Sequence, residues 1–399
     1  MTVLCNANAL RIPLADESVH CVVTSPPYWG LRDYGIGDQL GLEATPEEYV
    51  ANMVAVFREV KRVLRSDGVV FLNLGDSYAG GGMNPRPDSK YASGLKSNRP
   101  NDDRLDTPIP SGLKPKDLCG VPWRVAFALQ ADGWWLRSDC IWAKPNPMPE
   151  SCRDRPTKSH EYIFLMTKSA NYFYDQEAVR ENVGENTVRR AGHLVGGTKD
   201  KVLRDNDIGQ RLTFDQFIER GRNLRTVWTI ATAPYSGAHF ATFPPALVER
   251  CIRAGTSERG ACPVCGKQWE REIKPSSEYA KFLGKGYHDH SHDTTQGQSQ
   301  TKSMPRMNST YLTVGWRPTC AHDNDPIPAT VFDPFVGSGT TVAVAQQLGR
   351  RGVGIDLSLP YLRLARERTG AAAMSEWISG KKNGKENRLE DLPMFQVRE

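Results

Sequence analysis

The order of apolar and polar positions predicts a strand, a helix and a second strand early in the chain. Residues 19–24 (VHCVVT) form a largely apolar run typical of a buried strand. A capping box at 45–48, with proline at the first helical position, precedes apolar residues at helical spacing, and SDG at 66–68 ends that helix. Residues 69–74 (VVFLNL) follow as a strand. We expect a parallel sheet that is covered on both faces.

The same alternation resumes after residue 120. We predict a helix over 121–133, strands over 135–144 and 160–169, a helix over 243–256, and a strand, helix and strand over 329–333, 340–349 and 351–356. Polar, glycine-rich or proline-rich stretches without a period separate them at 80–116, 181–230 and 272–310. The alternation of strands and helices favours an α/β fold with long insertions.

Composition narrows the class of protein. The 399 residues are 39% hydrophobic and 24% charged, which is enough for a sizeable core. No apolar run reaches the length of a membrane span, and the N-terminus lacks the pattern of a signal peptide, so we expect a cytoplasmic protein. Nine cysteines, mostly single in apolar contexts, fit a reducing compartment. The net charge of +5 permits nucleic acid as a partner but does not establish it.

The stretch from 330 to 358 has the pattern of a nucleotide-binding turn. A strand ends at Asp333, a loop containing Gly337 and Gly339 opens a helix, and a second strand ends at Asp356. The glycines allow close approach of the backbone to a ligand, and the acid is placed to accept both hydroxyls of a ribose. The loop is neither G-x-G-x-x-G nor a Walker loop. The alternative interpretation is a tight turn with a solvated aspartate.

The sequence DPFVGSGT at 333–340, together with TSPPYW at 24–29, resembles the DNA amino-methyltransferases that use S-adenosylmethionine (AdoMet). The order of the two motifs resembles the permuted β class. This resemblance implies a Rossmann-like, doubly wound, mostly parallel sheet. It also implies a set of cofactor-binding residues: Asp333, Pro334, Phe335, Gly337, Ser338, Gly339, Thr340, Asp356, Asn8, Phe243 and Pro244. Asn8 stands where the family often has an aspartate.

In such a family the Ser-Pro-Pro-Tyr tip holds the target base, which implies a catalytic set of Ser25, Pro26, Pro27 and Tyr28. The Ser25 hydroxyl and the Pro26 carbonyl can accept the two N–H groups of an exocyclic amine and aim its lone pair at the methyl group. The Tyr28 ring can stack on a base that has been flipped out of the duplex. The alternative is a loop that packs Tyr28 and Trp29 into the core.

Serine at position 25 favours N4 of cytosine as the methylated atom, with N6 of adenine as the alternative. In the family, serine is commoner in cytosine enzymes and aspartate or asparagine in adenine enzymes. Two further interpretations stay open: a catalytically inactive DNA-binding regulatory protein, and a methyltransferase for RNA or small molecules. Asp76, at the end of a strand, either lines the pocket or caps a turn.

A second constellation indicates a metal. CPVCGK places Cys262 and Cys265 at zinc-knuckle spacing, and RPTCAH adds Cys320 and His322. A Cys3His set can close a tetrahedral zinc site, which we expect to be structural because methyl transfer to an amine needs no Lewis acid. The alternative is a set of unrelated loop thiols.

The resemblance also divides the chain into functional segments. The catalytic half comprises 1–80 and 121–175, the cofactor-pocket helix 236–257, and the AdoMet-binding half 329–375. Between them lie a flexible loop (81–120), a target-recognition insertion (176–235), a zinc-binding insertion (258–328) and a polar tail (376–399). The expected partners are double-stranded DNA, a cognate restriction endonuclease and a second copy of the chain, with no membrane.

Overall fold

The computed structural model describes residues 2–31, 34, 37–79, 112–182, 203–205, 210–212, 221–233, 243–275 and 311–370. The predictions for the loop up to residue 111, for most of 183–220, for 276–310 and for the tail at 376–399 lie outside these residues.

Twelve strands and five helices run through the described residues. The strands are β1 (Val3–Asn6), β2 (Val19–Thr24), β3 (Leu64–Leu74), β4 (Trp135–Ala143), β5 (His160–Thr167), β6 (Leu203–Asp205), β7 (Gln210–Leu212), β8 (Val227–Thr229), β9 (Glu270–Pro275), β10 (Tyr311–Arg317), β11 (Thr330–Asp333) and β12 (Arg351–Asp356). The helices are α1 (Pro46–Val63), α2 (Val121–Ala131), α3 (Pro245–Gly255), α4 (Thr340–Gln347) and α5 (Leu359–Thr369). Glu177–Val179 forms a short 3-10 turn.

Eight strands form one sheet in the order β1-β12-β11-β2-β3-β5-β4-β8. Neighbouring strands are parallel except where β5 pairs antiparallel with both β3 and β4. β2 and β11 are neighbours near the centre; β3, β5, β4 and β8 follow on one side, and β12 and β1 follow on the other. The predicted α/β fold with a doubly wound, mostly parallel sheet is confirmed.

Side chains at alternating positions of the central strands form an apolar layer on each face of the sheet. Val70 and Leu72 of β3 belong to the cluster that α1 and α2 complete. On the other face, α3 ends at Gly255, where an added Cβ would come within 2.7 Å of Cys21 Sγ and 2.6 Å of a Val69 methyl carbon. The helix therefore lies directly on the sheet, as the expectation of two covered faces requires.

The first predicted helix begins where the sequence indicated but ends earlier. The Thr45 side chain accepts a hydrogen bond from Glu48 N, which confirms the predicted N-cap, whereas the Glu48 carboxylate accepts from Ala44 N rather than from Thr45 N. Helix α1 stops at Val63, and β3 begins at once with Leu64, so SDG at 66–68 lies inside the strand rather than at the helix end. The apolar Leu64 side chain fits either period, which explains the error.

The chain divides into two compact units. Unit 1 comprises Met1–Tyr174, Thr226–Gln268 and Cys320–Glu399, and unit 2 comprises Asp175–Arg225 and Trp269–Thr319. In unit 2, β9 pairs antiparallel with β10, β6 pairs with β7, and the buried Asp175 accepts hydrogen bonds from Arg271 Nε at 2.8 and 3.0 Å. The two polar insertions that the sequence suggested as separate segments thus contribute to one unit, while all four candidate metal ligands stay in unit 1.

Among the described helices, none combines the length and the apolar character that crossing a membrane requires.

Candidate active site

The carboxyl ends of β12, β11, β2 and β3 lie at one edge of the sheet, because these four strands are adjacent and parallel. The Ser25–Tyr28 tip follows β2, and the glycine loop follows β11. Thr24 Oγ1 donates to Asp333 Oδ1 at 2.7 Å, which joins the two motifs across 309 positions of sequence. Open α/β sheets bind their ligands at this kind of edge.

Asp333 organises the start of the glycine loop. Its Oδ1 also accepts from Phe335 N at 3.0 Å, and its Oδ2 accepts from Thr341 Oγ1 at 2.8 Å. The side chain is buried, and burial raises the pKa of Asp333 to about 6. Both carboxylate oxygens are therefore engaged with the protein, so Asp333 shapes the loop, and a direct contact with a cofactor stays a prediction.

The two glycines have different reasons to be glycine. Both have positive φ, +49° at Gly337 and +83° at Gly339. A Cβ on Gly339 would come within 2.8 Å of Ala365 Cβ, so close packing of α5 excludes any side chain there. A Cβ on Gly337 would meet only Phe335 O, at 3.9 Å, so the space in front of Gly337 is open.

The remaining loop residues are held from behind. Arg368 of α5 donates to Thr340 Oγ1 at 2.8 Å and to Ser338 Oγ at 3.4 Å. Pro334 is buried, and Phe335 is half-buried against the main apolar cluster. These side chains fix the loop rather than face an open space.

Asp356 closes the other side of the loop. Its Oδ2 accepts from Gly337 N at 2.9 Å and its Oδ1 from Ser358 N at 2.8 Å, while the side chain stays half-buried. Burial raises the pKa of this carboxyl. Each oxygen retains a lone pair for a further donor.

The end of β1 lies beside the Asp356 backbone. Asn6 Nδ2 donates to Asp356 O at 2.9 Å, and Asn8 lies two residues further along the chain. The Asn8 side-chain oxygen accepts from Leu10 N at 2.9 Å and so stabilises a turn. The structure brings Asn8 to this edge of the sheet.

The proline tip is rigidly anchored. Pro27 O accepts from Tyr49 Oη at 2.8 Å, and the buried Trp29 donates from Nε1 to Glu43 O at 2.9 Å. The interpretation of core packing therefore holds for Trp29. Tyr28 is half-buried and also packs against the main apolar cluster, with its ring against Gly75, where a Cβ would come within 2.6 Å of the ring. Stacking of this ring on a base stays a prediction.

The Tyr28 hydroxyl lies among three polar side chains. It is 2.7 Å from Glu161 Oε2, 3.1 Å from Asn73 Oδ1 and 3.2 Å from Ser25 Oγ. Burial, followed by the charge of Glu161, raises the pKa of Tyr28 well above its ordinary value, so the phenol stays protonated. Glu161 also binds Lys144.

Sequence reasoning missed Glu161, Asn73 and Lys144 as members of this site. They come from β5, β3 and the end of β4, and no short motif contains all three. The available signal was a glutamate and an asparagine in otherwise apolar strands, since buried polar groups need a partner.

Two other predicted pocket positions have defined surroundings. Asp76 accepts from Gly120 N at 3.1 Å and Val121 N at 3.0 Å, so it caps the start of α2. Of the two interpretations of Asp76, the cap is the observed one. Phe243 and Pro244 immediately precede α3, which packs against β2 and α4, and their contact with a cofactor stays a prediction.

The cysteine–histidine cluster lies at the opposite edge of the sheet. The ligand atoms of Cys262, Cys265, Cys320 and His322 all lie within 4.8 Å of one another. His20 at the start of β2 bonds Gly266 O at 2.9 Å, and Arg65 at the start of β3 donates to Cys265 O at 2.8 Å. The spacing predicted a common site, and the structure brings all four residues together.

Comparison with known proteins identifies the family to which the chain belongs. The family model for N6/N4 methyltransferases, described as DNA methylase, matches residues 19–262 and 325–367. The chain is 40% identical over 356 residues to the type II methyltransferase M.XycI of Xanthomonas campestris pv. cyanopsidis, covering 89% of this chain and 82% of the relative.

Two further relatives have similar coverage. The type II methyltransferase M.SmaI of Serratia marcescens is 39% identical over 89% of this chain and 85% of its own length. M.SfiI of Streptomyces fimbriatus is 33% identical over 88% of this chain and 86% of its own length. The resemblance noted in the sequence is thereby confirmed: the chain belongs to the N6/N4 family of DNA methylases, which are amino-methyltransferases.

Proposed function

We propose that the protein transfers a methyl group from AdoMet to the exocyclic N4 amine of a cytosine flipped out of duplex DNA. The observation that carries this proposal is the hydrogen bond of 2.7 Å between Thr24 and Asp333. It fixes the proline tip beside the glycine loop, so a base held by one lies next to a cofactor held by the other.

The residues of the loop fit AdoMet. The open space in front of Gly337 admits a ligand close to the backbone, and the half-buried carboxylate of Asp356 retains lone pairs for ribose hydroxyls. When bound, AdoMet supplies an electrophilic methyl group on a sulfonium.

The tip would orient the nucleophile. An exocyclic amine is a weak nucleophile, because its lone pair is delocalised into the ring. Hydrogen bonds from its two N–H groups to Ser25 Oγ and the Pro26 carbonyl would favour a pyramidal nitrogen and direct its lone pair. The Tyr28 ring would stack on the base. Methylation makes the amine acidic, so the proton leaves afterwards without a strong general base.

Serine at position 25 supports cytosine as the substrate, and N6 of adenine is the second candidate. The deciding experiment is transfer of labelled methyl from AdoMet to mixed-sequence duplex DNA, with digestion to nucleosides and mass spectrometry. N4-methylcytosine supports the proposal, and N6-methyladenine replaces it with the second candidate. Absence of a labelled base across a broad set of duplexes, with AdoMet still bound, contradicts duplex DNA as the substrate.

We also propose that Cys262, Cys265, Cys320 and His322 bind one structural zinc ion. Three thiolates and an imidazole within 4.8 Å of one another can complete a tetrahedron. The cluster lies at the amino edge of the sheet, where β2, β3 and β11 begin, and this position supports a structural role. A restriction endonuclease partner and a homodimer remain predictions from the resemblance.

A further inference from the structure

A chain of hydrogen bonds runs behind the tip from a lysine to the serine. Lys144 binds Glu161 Oε1, and the Tyr28 hydroxyl lies 2.7 Å from Glu161 Oε2. The Ser25 hydroxyl then lies 3.2 Å from the Tyr28 oxygen. The Glu161 and Lys144 side chains are only 14% and 18% exposed, so water competes weakly for these bonds.

The direction of the bonds in this chain follows from counting protons. The Tyr28 hydroxyl has one proton and two acceptors on the side away from Ser25, namely Glu161 and Asn73. Asn73 Nδ2 donates to Glu161 Oε2 and to Tyr162 O, both at 3.1 Å, so its Oδ1 is the atom turned toward Tyr28. The tyrosine proton is directed away from Ser25 whether Glu161 or Asn73 accepts it. Ser25 must then be the donor in its bond to Tyr28.

This direction matters because serine, unlike aspartate, can either donate or accept. A serine that donates toward the substrate would favour a carbonyl or ring nitrogen over an amine. Once the Ser25 proton points at Tyr28, the group that Ser25 presents to a base is a pair of lone pairs.

We propose that Glu161, through the Tyr28 hydroxyl, fixes Ser25 as a hydrogen-bond acceptor for the substrate amine. Glu161 is thus a positioning residue, and Lys144 keeps its carboxylate in place. The inference rests on the proposed function, because it assigns a polarity to the contact between Ser25 and the amine. It gives the phenol hydroxyl a role separate from that of the ring, which stacks on the base.

The test is a double-mutant cycle measured by single-turnover methyl transfer. Tyr28→Phe keeps the ring and removes the hydroxyl, and Glu161→Gln replaces the charged acceptor with an amide that can also donate. We expect each variant to slow transfer about tenfold, the effect of one well-directed hydrogen bond, with unchanged affinity for AdoMet. In a Ser25→Ala background, both changes should alter the rate less than twofold, because the oriented hydroxyl is already absent.

The cycle separates the possible failures. Full additivity of either change with Ser25→Ala overturns the proposed link from Glu161 through Tyr28 to Ser25, because the effect then does not pass through Ser25. A wild-type rate in both Tyr28→Phe and Glu161→Gln also overturns it. A wild-type rate in Ser25→Ala itself contradicts the proposed function, since Ser25 would not bind the amine.

Folding is controlled separately. Glu59→Gln serves as the matched control, because Glu59 is a partly buried carboxylate of α1 paired with Arg62 and lies outside the tip. Its rate should equal that of the wild type. If Glu161→Gln lowers Tm strongly, the cycle of Tyr28→Phe with Ser25→Ala decides alone, because neither change removes a charge.

Discussion

The two edges of the eight-stranded sheet carry polar sites of opposite character. At the carboxyl edge, Ser25, Tyr28 and Asp356 are only half-buried, and Ser25 and Asp356 keep lone pairs for a ligand. At the amino edge, His20 and Arg65 are buried and bonded to the backbone beside the cysteines, and Gly266 comes so close to Arg65 that a Cβ would lie 2.2 Å from its Nη1. From this comparison we expect catalysis at the carboxyl edge and structural stabilisation at the amino edge. Substitutions at the carboxyl edge should therefore change turnover or ligand affinity, and those at the amino edge should change stability.

The largest effect is expected at the carboxyl edge. Tyr28→Ala removes the proposed stacking surface and the proposed hydrogen-bond link from Glu161 to Ser25. It should reduce methyl transfer about 10³-fold, or about 4 kcal/mol, with AdoMet affinity within a factor of two. Single-turnover rates and equilibrium binding of AdoMet give the two quantities. Phe127→Ala, which truncates an aromatic residue of α2 that is 55% exposed, is the control. Unchanged turnover on duplex DNA would show that the tip does not hold the base.

The opposite pattern is expected at the amino edge. Cys320→Ser removes one ligand of the proposed zinc site and should lower the free energy of unfolding by about 3 kcal/mol. Turnover per folded molecule should stay within a factor of two. Metal content and urea unfolding measure the first effect, and Cys152→Ser, at a half-buried cysteine outside the cluster, is the control. Protein purified without a chelator that contains no zinc would refute the site.

The sequence allowed accurate prediction where a feature is contiguous. The glycine loop, its flanking strands and the parallel sheet follow from local patterns between 330 and 358, and the structure confirms the elements there. The cysteine cluster was equally predictable, because the spacing between Cys262 and Cys265 is itself a signature of zinc sites.

Features that depend on distant residues were not predictable. Glu161 lies 133 positions from Tyr28. Its place in an apolar strand indicates that it needs a polar partner, but the sequence does not say that this partner is Tyr28. The sequence also did not decide whether Asp76 lines the pocket or caps a turn, because the two amides that it caps lie 44 and 45 positions away. The fold alone brings these groups together: β5 pairs with β3, and α2 begins beside the loop that follows β3.

A pH-dependent effect would sharpen the contrast at the amino edge. Burial lowers the pKa of His20 to about 4, and its ring lies between Gly266 O and Thr330 N at 2.9 Å each, which holds the neutral form. The unfolded chain takes up a proton near pH 6.5 and the folded chain does not, so the stabilisation is fully present above pH 6.5 and is lost as pH falls toward 4. Between pH 7 and 5, His20 should account for about 2 kcal/mol of lost stability.

His20→Gln tests this assignment. Glutamine also carries a donor and an acceptor but does not titrate, so the variant should lose about 2 kcal/mol less than the wild type between pH 7 and 5. Urea unfolding at the two pH values measures the difference, and release of metal by acid affects both proteins alike. Equal pH dependence in the two proteins would show that His20 binds its proton equally well in the folded and the unfolded state.

The smallest effect returns to the carboxyl edge and separates cofactor from base. Asp356→Ala removes the carboxylate that accepts from Gly337 N and that we propose as the acceptor for the ribose hydroxyls. AdoMet affinity should fall about tenfold, or about 1.4 kcal/mol, while transfer at saturating AdoMet changes less than threefold. Asp154→Ala, at an exposed aspartate paired with Lys116, is the control. A variant that binds AdoMet normally but turns over slowly would place Asp356 with the tip rather than with the cofactor. In that case the proline tip and the glycine loop, which the Thr24–Asp333 hydrogen bond joins, would not have separate roles in binding the base and the cofactor.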